Sequence, residues 1–252
     1  MGFLDFLFKR GDSAGAGGEA ALLKHAERVL DKRAMSPDRF ASIEYLCNLA
    51  TEDAWRALLP RYNFIVDPSI TDREEKHYIF DRVSHATETA VEPVKEFLRK
   101  TTSVNWALKI LRELVSPEEF VTELLDVLQG EGTTYQKNAD RKINIIMALE
   151  DVLDPRITAA LLGFLEDVNE DVRFHTVRTL LAQGDSEAAA GSLAALLGRE
   201  ESMRIKTNIA DGLAEKAWSV PEEHRERTLA VLPRLPTGPY TLDPAGLITR
   251  RA

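Results

Sequence analysis

The chain has 252 residues and a single cysteine, Cys47, so it can form no disulfide within itself, and a reducing, cytoplasmic compartment is the simplest expectation. Aromatic residues make up only 7% of it. Ala, Leu, Glu and Arg dominate instead, a composition that loses little side-chain entropy in helices and leaves few candidates for strands. No apolar run approaches the ~20 residues that cross a bilayer, which predicts no transmembrane span. Cations are outnumbered, 32 against 41 acids, for a formal charge of -9. Such a balance repels a polyphosphate backbone and argues against nucleic acid as a partner. Of the five histidines, His25, His175 and His224 are isolated, and no Ser/His/Asp set can be composed from the sequence. Glycines cluster at residues 11–18, but no strand precedes them and no Gly-Lys-Ser/Thr follows, so they read as a flexible linker over residues 11–19 and not as a phosphate loop.

What the chain does have is helix punctuation and recurrence. Ser36-Pro37, Thr71-Asp72-Arg73-Glu74, Ser116-Pro117-Glu118-Glu119 and Asp154-Pro155 each set a capping oxygen ahead of a helical segment. An opening helix is predicted from Glu19 to about Ala34, with Leu22, Leu23, Ala26, Val29 and Leu30 on one face. Beyond it, Leu46, Ile79, Ile110, Ile145, Val177 and Ile209 form a column at spacings of 33, 31, 35, 32 and 32 residues. Four residues on stands a second column, Ala50, Val83, Leu114, Leu149, Leu181 and Leu213. The following helices give Leu58, Val94, Leu125, Leu161, Leu193 and Leu229. Three residues after those come Phe97, Leu128, Phe164, Leu196 and Leu232, with Arg61 alone breaking the pattern. Spacings of three and four put each pair of columns on one helical face, a stripe that can be buried only against neighbouring units. The expectation is an all-α solenoid of about six helical hairpins over residues 20–233.

At Asn169-Glu170-Asp171-Val172-Arg173, followed by Val177, Leu180, Leu181 and Gly184-Asp185, the chain resembles a HEAT repeat of the short bacterial form named after phycobilisome lyases. The resemblance is good over roughly residues 137–217 and weaker before them, where Tyr78 and Trp106 replace smaller residues. It implies a superhelix whose concave face, lined by second helices, binds a protein partner, hence a non-enzymatic scaffold or adaptor with no cofactor. Glu52, Glu88, Glu92, Glu119 and Glu123 would make that face acidic. An acidic face opposes the alternative of a DNA glycosylase built from similar repeats. A chromophore-lyase-type enzyme is the other alternative, with no diagnostic residue to quote. The hydroxylase-type members carry paired His-Glu dipeptides, which this sequence lacks.

Four features stand outside the recurrence. Residues 1–10 gather Phe3, Leu4, Phe6, Leu7 and Phe8 ahead of Lys9 and Arg10. Such a cluster reads as a peripheral membrane anchor at the inner face or a docking peptide, or as a segment that folds back on the first repeat. Myristoylation is rejected because position 6 is Phe, where that motif requires Ser or Thr. His77, Asp81 and His85 have the spacing of zinc ligands along one helix, but Ile79 and Val83 mark its buried side, so the reading is a plain polar face. Residues 130–137, rich in glycine and threonine, lengthen one repeat to 35 and read as a spacer, and residues 234–252, which follow Pro233 and contain Pro236, Pro239 and Pro244, read as an extended tail. Trp55, Trp106 and Trp218, like Cys47, are assigned to packing.

Overall fold

The computed structural model describes residues 16–134 and 138–250. The peptide of residues 1–10, residues 11–15 of the linker and Tyr135, Gln136 and Lys137 of the glycine-rich loop lie outside the described residues. The described residues are mostly helical, with thirteen α-helices among them, and close in one small antiparallel hairpin. It divides into two compact units, Met1–Phe120 and Val121–Ala252.

Unit 1 contains α1 (Ala16–Leu30), α2 (Ser36–Leu49), α3 (Glu52–Leu58) with a 3₁₀ turn after it (Leu59–Asn63), α4 (Ser69–Val83), α5 (Thr87–Lys100) and α6 (Asn105–Leu114). Alternate helices pack on one another: α2 on α4 and α4 on α6, α3 on α5, while α1 lies against α2 and α3. Helix α7 (Pro117–Glu131) follows, and Ser116 caps it by accepting the Glu119 N–H at 3.2 Å. Unit 2 contains α8 (Asp140–Glu150), α9 (Pro155–Leu161) with a 3₁₀ turn (Leu162–Glu166), α10 (Glu170–Gln183), α11 (Ser186–Arg199), α12 (Met203–Glu215) and α13 (Glu222–Val231). Here α10 packs between α8 and α12, and α11 packs on α9 and α13. Asp154 and Asn169 cap α9 and α10 with their side chains.

The first-helix columns fall in the core. Leu46, Ile79, Ile110, Ile145, Val177 and Ile209 are all fully buried. Close approach of α12 to α10 depends on Gly212, where an added Cβ would lie 2.2 Å from Leu181 Cδ1. Several expectations need correction. Helix α1 spans Ala16–Leu30 and stops short of Ala34, because Asp31 turns the chain by accepting the Arg33 N–H at 2.8 Å. Ser36 is the first helical residue and not a cap, the cap position being Met35. Helix α4 starts at Ser69, which puts Asp72 inside its first turn, facing inward. Ala50 is exposed, since it ends α2 in the left-handed region at φ 48°. Leu229 is 52% exposed, and the buried side is taken by Thr228 on α13 and by Leu232 in the 3₁₀ turn after it (Leu232–Arg234). Arg61 is no gap in the apolar pattern, being wholly buried in an ion cluster. The tail is a hairpin, β1 (Tyr240–Leu242) paired antiparallel with β2 (Ile248–Arg250), with β2 on α12 and β1 on α13.

Candidate functional site

A charged surface runs across α3, α5 and the first turn of α7, all within unit 1. Residues 52–58, 87–100 and 117–120 carry seven carboxylates and four cations, and each of the seven acids is at least partly exposed. Arg56 ties α3 to α5: its guanidinium donates to Glu52 at 2.8 Å, to Asp53 at 3.1 Å and to Glu96 at 3.1 Å. Lys95 ties α5 to α7 through Glu119 at 2.6 Å, with Glu92 at 3.7 Å. The i,i+3 and i,i+4 spacing of Glu52, Asp53 and Arg56 makes two of these pairs local. Both cations are only part-exposed, so their alkyl stems pack while their heads hold carboxylates in place. The outcome is a preordered acidic surface in which acids outnumber cations by three.

Four of the five glutamates expected on an acidic face, Glu52, Glu88, Glu92 and Glu119, are exposed on these segments. Glu123 is not: it is 4% exposed and belongs to unit 2, because it falls on the inward side of α7 beside Val121 and Leu124. Sequence reasoning, which counted Glu96 among the acids of the early second helices, missed Arg56 and Lys95, the cations that set the geometry of the surface, although the Glu52–Arg56 spacing carried a signal. Beside Glu88, at the turns that end α2 and α4, a groove of about 560 Å³ is lined by Cys47, Trp55, Asp81, Arg82 and His85 among others. Its polar floor is already engaged, with Trp55 Nε1 donating to Thr89 Oγ1 at 2.9 Å and Thr89 Oγ1 donating to the Ala50 carbonyl at 2.8 Å. Burial pushes the Cys47 thiol up to about 12, which leaves almost no thiolate at neutral pH and fits a packing role.

His77 and His85 are exposed on α4, and their Nδ1 atoms lie at 2.8 Å and 2.7 Å from the carbonyls of Arg73 and Asp81. His77 also meets the edge of Trp106, which stacks on Tyr62 at 4.9 Å. Among the described residues, no group of three or more His, Cys, Asp or Glu side chains is placed to hold a metal ion. No helix of the described residues is long and apolar enough to cross a membrane. Phe3, Leu4, Phe6, Leu7, Phe8 and Lys9, the expected membrane or partner contact, lie outside the described residues. Comparison with family models, with curated proteins and with solved structures finds no match.

Proposed function

We propose that this chain is a non-enzymatic scaffold or adaptor, a solenoid of HEAT-like helix pairs that binds a basic segment of a protein partner on the surface formed by α3, α5 and the start of α7. The single observation that carries this reading is the preordered excess of carboxylates on those three elements, tied together by Arg56 and Lys95. Preordered charges lose little entropy on binding, and an excess of one sign steers a partner of the other. The solenoid reading draws its support from contacts at repeat spacing in unit 2, such as Thr179 Oγ1 donating to the Ile146 carbonyl and Gln183 Nε2 to the Leu149 carbonyl, 33 and 34 residues away. Residues 1–10 supply a second attachment, to a membrane surface or the same partner, in a cytoplasmic setting.

A labelled lysine-rich peptide tests the binding surface by fluorescence anisotropy. Glu88→Lys with Glu92→Lys should weaken binding about tenfold or more, and the same reversal at Glu222 and Glu223 on α13, which changes net charge equally, should weaken it far less. Equal losses in the two double variants would reduce the effect to net charge and sink the reading.

A further inference from the structure

A second pocket, of about 340 Å³, lies wholly within unit 2, where the start of α9 faces the turn from α10 to α11. Gln183 ties one side of it to the other: its Nε2 donates to the Leu149 and Val152 carbonyls at 3.3 Å and 2.8 Å, and its Oε1 accepts the Asp154 N–H at 3.2 Å. Arg156 fixes the Asp154 carboxylate, donating to it through Nε at 2.9 Å and Nη2 at 2.7 Å. On the α11 side, Asp185 Oδ1 accepts the Ala188 N–H at 3.1 Å and so caps that helix. Among the described residues, Asp185 has no cationic partner, and the pocket lining contains no Lys, Arg or His. Leu153 and Pro155 add apolar surface, and Leu153 is 76% exposed.

Thr158 lines the same pocket from α9. It is the fourth residue of a seven-residue helix capped by the side chain before it, the place that Trp55 holds in α3. Trp55 spends its N–H on Thr89, whereas Thr158 is 1% exposed and its Oγ1 has no hydrogen-bond partner. A buried hydroxyl without a partner is costly, and on a pocket wall a ligand can supply the missing bond. The carboxylates oppose an anion, and among the described residues no group of three or more ligating side chains is placed to hold a metal ion. An ammonium fits: it only donates, and the carboxylate and the hydroxyl oxygen both accept. We infer that this pocket binds a primary amine on an alkyl chain, the ammonium donating to Asp185 and to Thr158 Oγ1 and the chain packing on Leu153 and Pro155. The volume, at the lower end for ligand pockets, suits one short chain. A lysine side chain of a protein partner and a free diamine share that chemistry. The site lies in unit 2 and does not rest on the acidic surface of unit 1.

NMR of the full chain can follow the Leu153 methyls and the Gly184 and Asp185 amides through titrations at constant ionic strength with diaminobutane and, separately, with N-acetyl-lysine methylamide. Both amines should shift these signals to saturation, and n-pentanol, of like length without the charge, should not. Tighter binding of the lysine derivative assigns the amine to a protein partner, and tighter binding of diaminobutane assigns it to a free amine. Asp185→Asn keeps the cap of α11, since Asn caps as well as Asp, but removes the charge, and should weaken amine binding about tenfold or more. Thr158→Val keeps the shape of the wall without the acceptor and should weaken it about fivefold. Glu88→Lys with Glu92→Lys in unit 1 should leave it unchanged. Saturation by neither amine, equal saturation by pentanol, or wild-type affinity in Asp185→Asn would overturn the amine assignment. Wild-type affinity in Thr158→Val would overturn the part given to its hydroxyl.

Discussion

The two units solve one problem, fixing the turn between successive helix pairs, with charges placed in opposite order. In unit 2 a cation near the start of one helix reaches an acid in the turn before the next-but-one helix. Lys142 on α8 meets Asp167 at 2.6 Å, and Arg173 on α10 meets Glu200 at 2.8 Å. Asp167 and Glu200 then spend their remaining capacity on the backbone: Asp167 accepts the Asn169 N–H, and Glu200 the N–H groups of Glu201 and Ser202. In unit 1 the turn supplies the cation. Arg61, on the 3₁₀ turn after α3, donates to Asp72 and Glu75 on α4, while Arg39 on α2 forks onto the same Glu75 at 2.9 Å and 3.0 Å. Lys76 closes the cluster on Asp72 at 2.8 Å. Three buried cations thus share two carboxylates, with Glu75 joining α2, the turn and α4. Unit 2 divides the same work between separate pairs, so damage there stays local. Concentrating it on Glu75 gives unit 1 a single point of failure.

The largest expected effect is on that residue. Glu75→Ala takes the Glu75 carboxylate from two buried guanidiniums, leaving Arg61 with Asp72 and Arg39 with the Ala34 carbonyl, and should cost about 4 kcal/mol, read as a shift in the urea midpoint of unit 1 from the fluorescence of Trp55 and Trp106 in a Trp218→Phe background. Next comes Asp167→Ala, which strands only Lys142 and should cost about 3 kcal/mol, read at Trp218 with Trp55 and Trp106 replaced by Phe. If Asp167→Ala proved the more damaging, the comparison between the units would fail. Smaller again is Gly212→Ala, which drives a methyl group into Leu181 and should cost about 2 kcal/mol in unit 2 while leaving unit 1 unchanged.

Acid is expected to act most gently and on both units. Burial alone would raise the carboxyl of Asp72, but hydrogen bonds from Lys76, Arg61 and the Val66 N–H outweigh it and hold it below the usual carboxylate range. Glu200 is lowered in the same way, with Arg173 and the backbone of Ser202 outweighing its burial. A depressed folded-state pKa favours protonation of the unfolded chain. Each carboxylate therefore stabilises its unit above the ordinary range near pH 4 and loses that contribution as pH falls through the folded value. Asp72→Asn should flatten the acid limb of unit 1 and leave that of unit 2 as it was, measured by thermal melts at stepped pH.

Much of the core was legible because apolar side chains at repeat spacing have few places to go: the column led by Leu46 is buried at all six entries, and the column led by Leu58 at four of its six. The buried ions were not legible. Arg61 looks like an error in an apolar column, Glu75 sits in a run of Glu and Lys that reads as a solvated face, and Lys142 and Asp167 lie 25 residues apart with no local signal joining them. The hairpin did leave one: Asp243-Pro244-Ala245-Gly246 is a turn sequence between Tyr240-Thr241-Leu242 and Ile248-Thr249, β-favouring residues masked by the prolines around them. Of the acidic surface, the residues were visible but not their order, because Arg56 and Lys95 act across helices that only the fold brings together.

That surface is the centre of the account, and carboxyl footprinting of the full chain with the lysine-rich peptide bound tests it most directly. Carbodiimide labelling of Glu88, Glu92 and Glu119 should fall several-fold on binding while labelling of Glu222 and Glu223 on α13 stays as in the free protein. Protection spread evenly over both sets, or confined to α13, would contradict it.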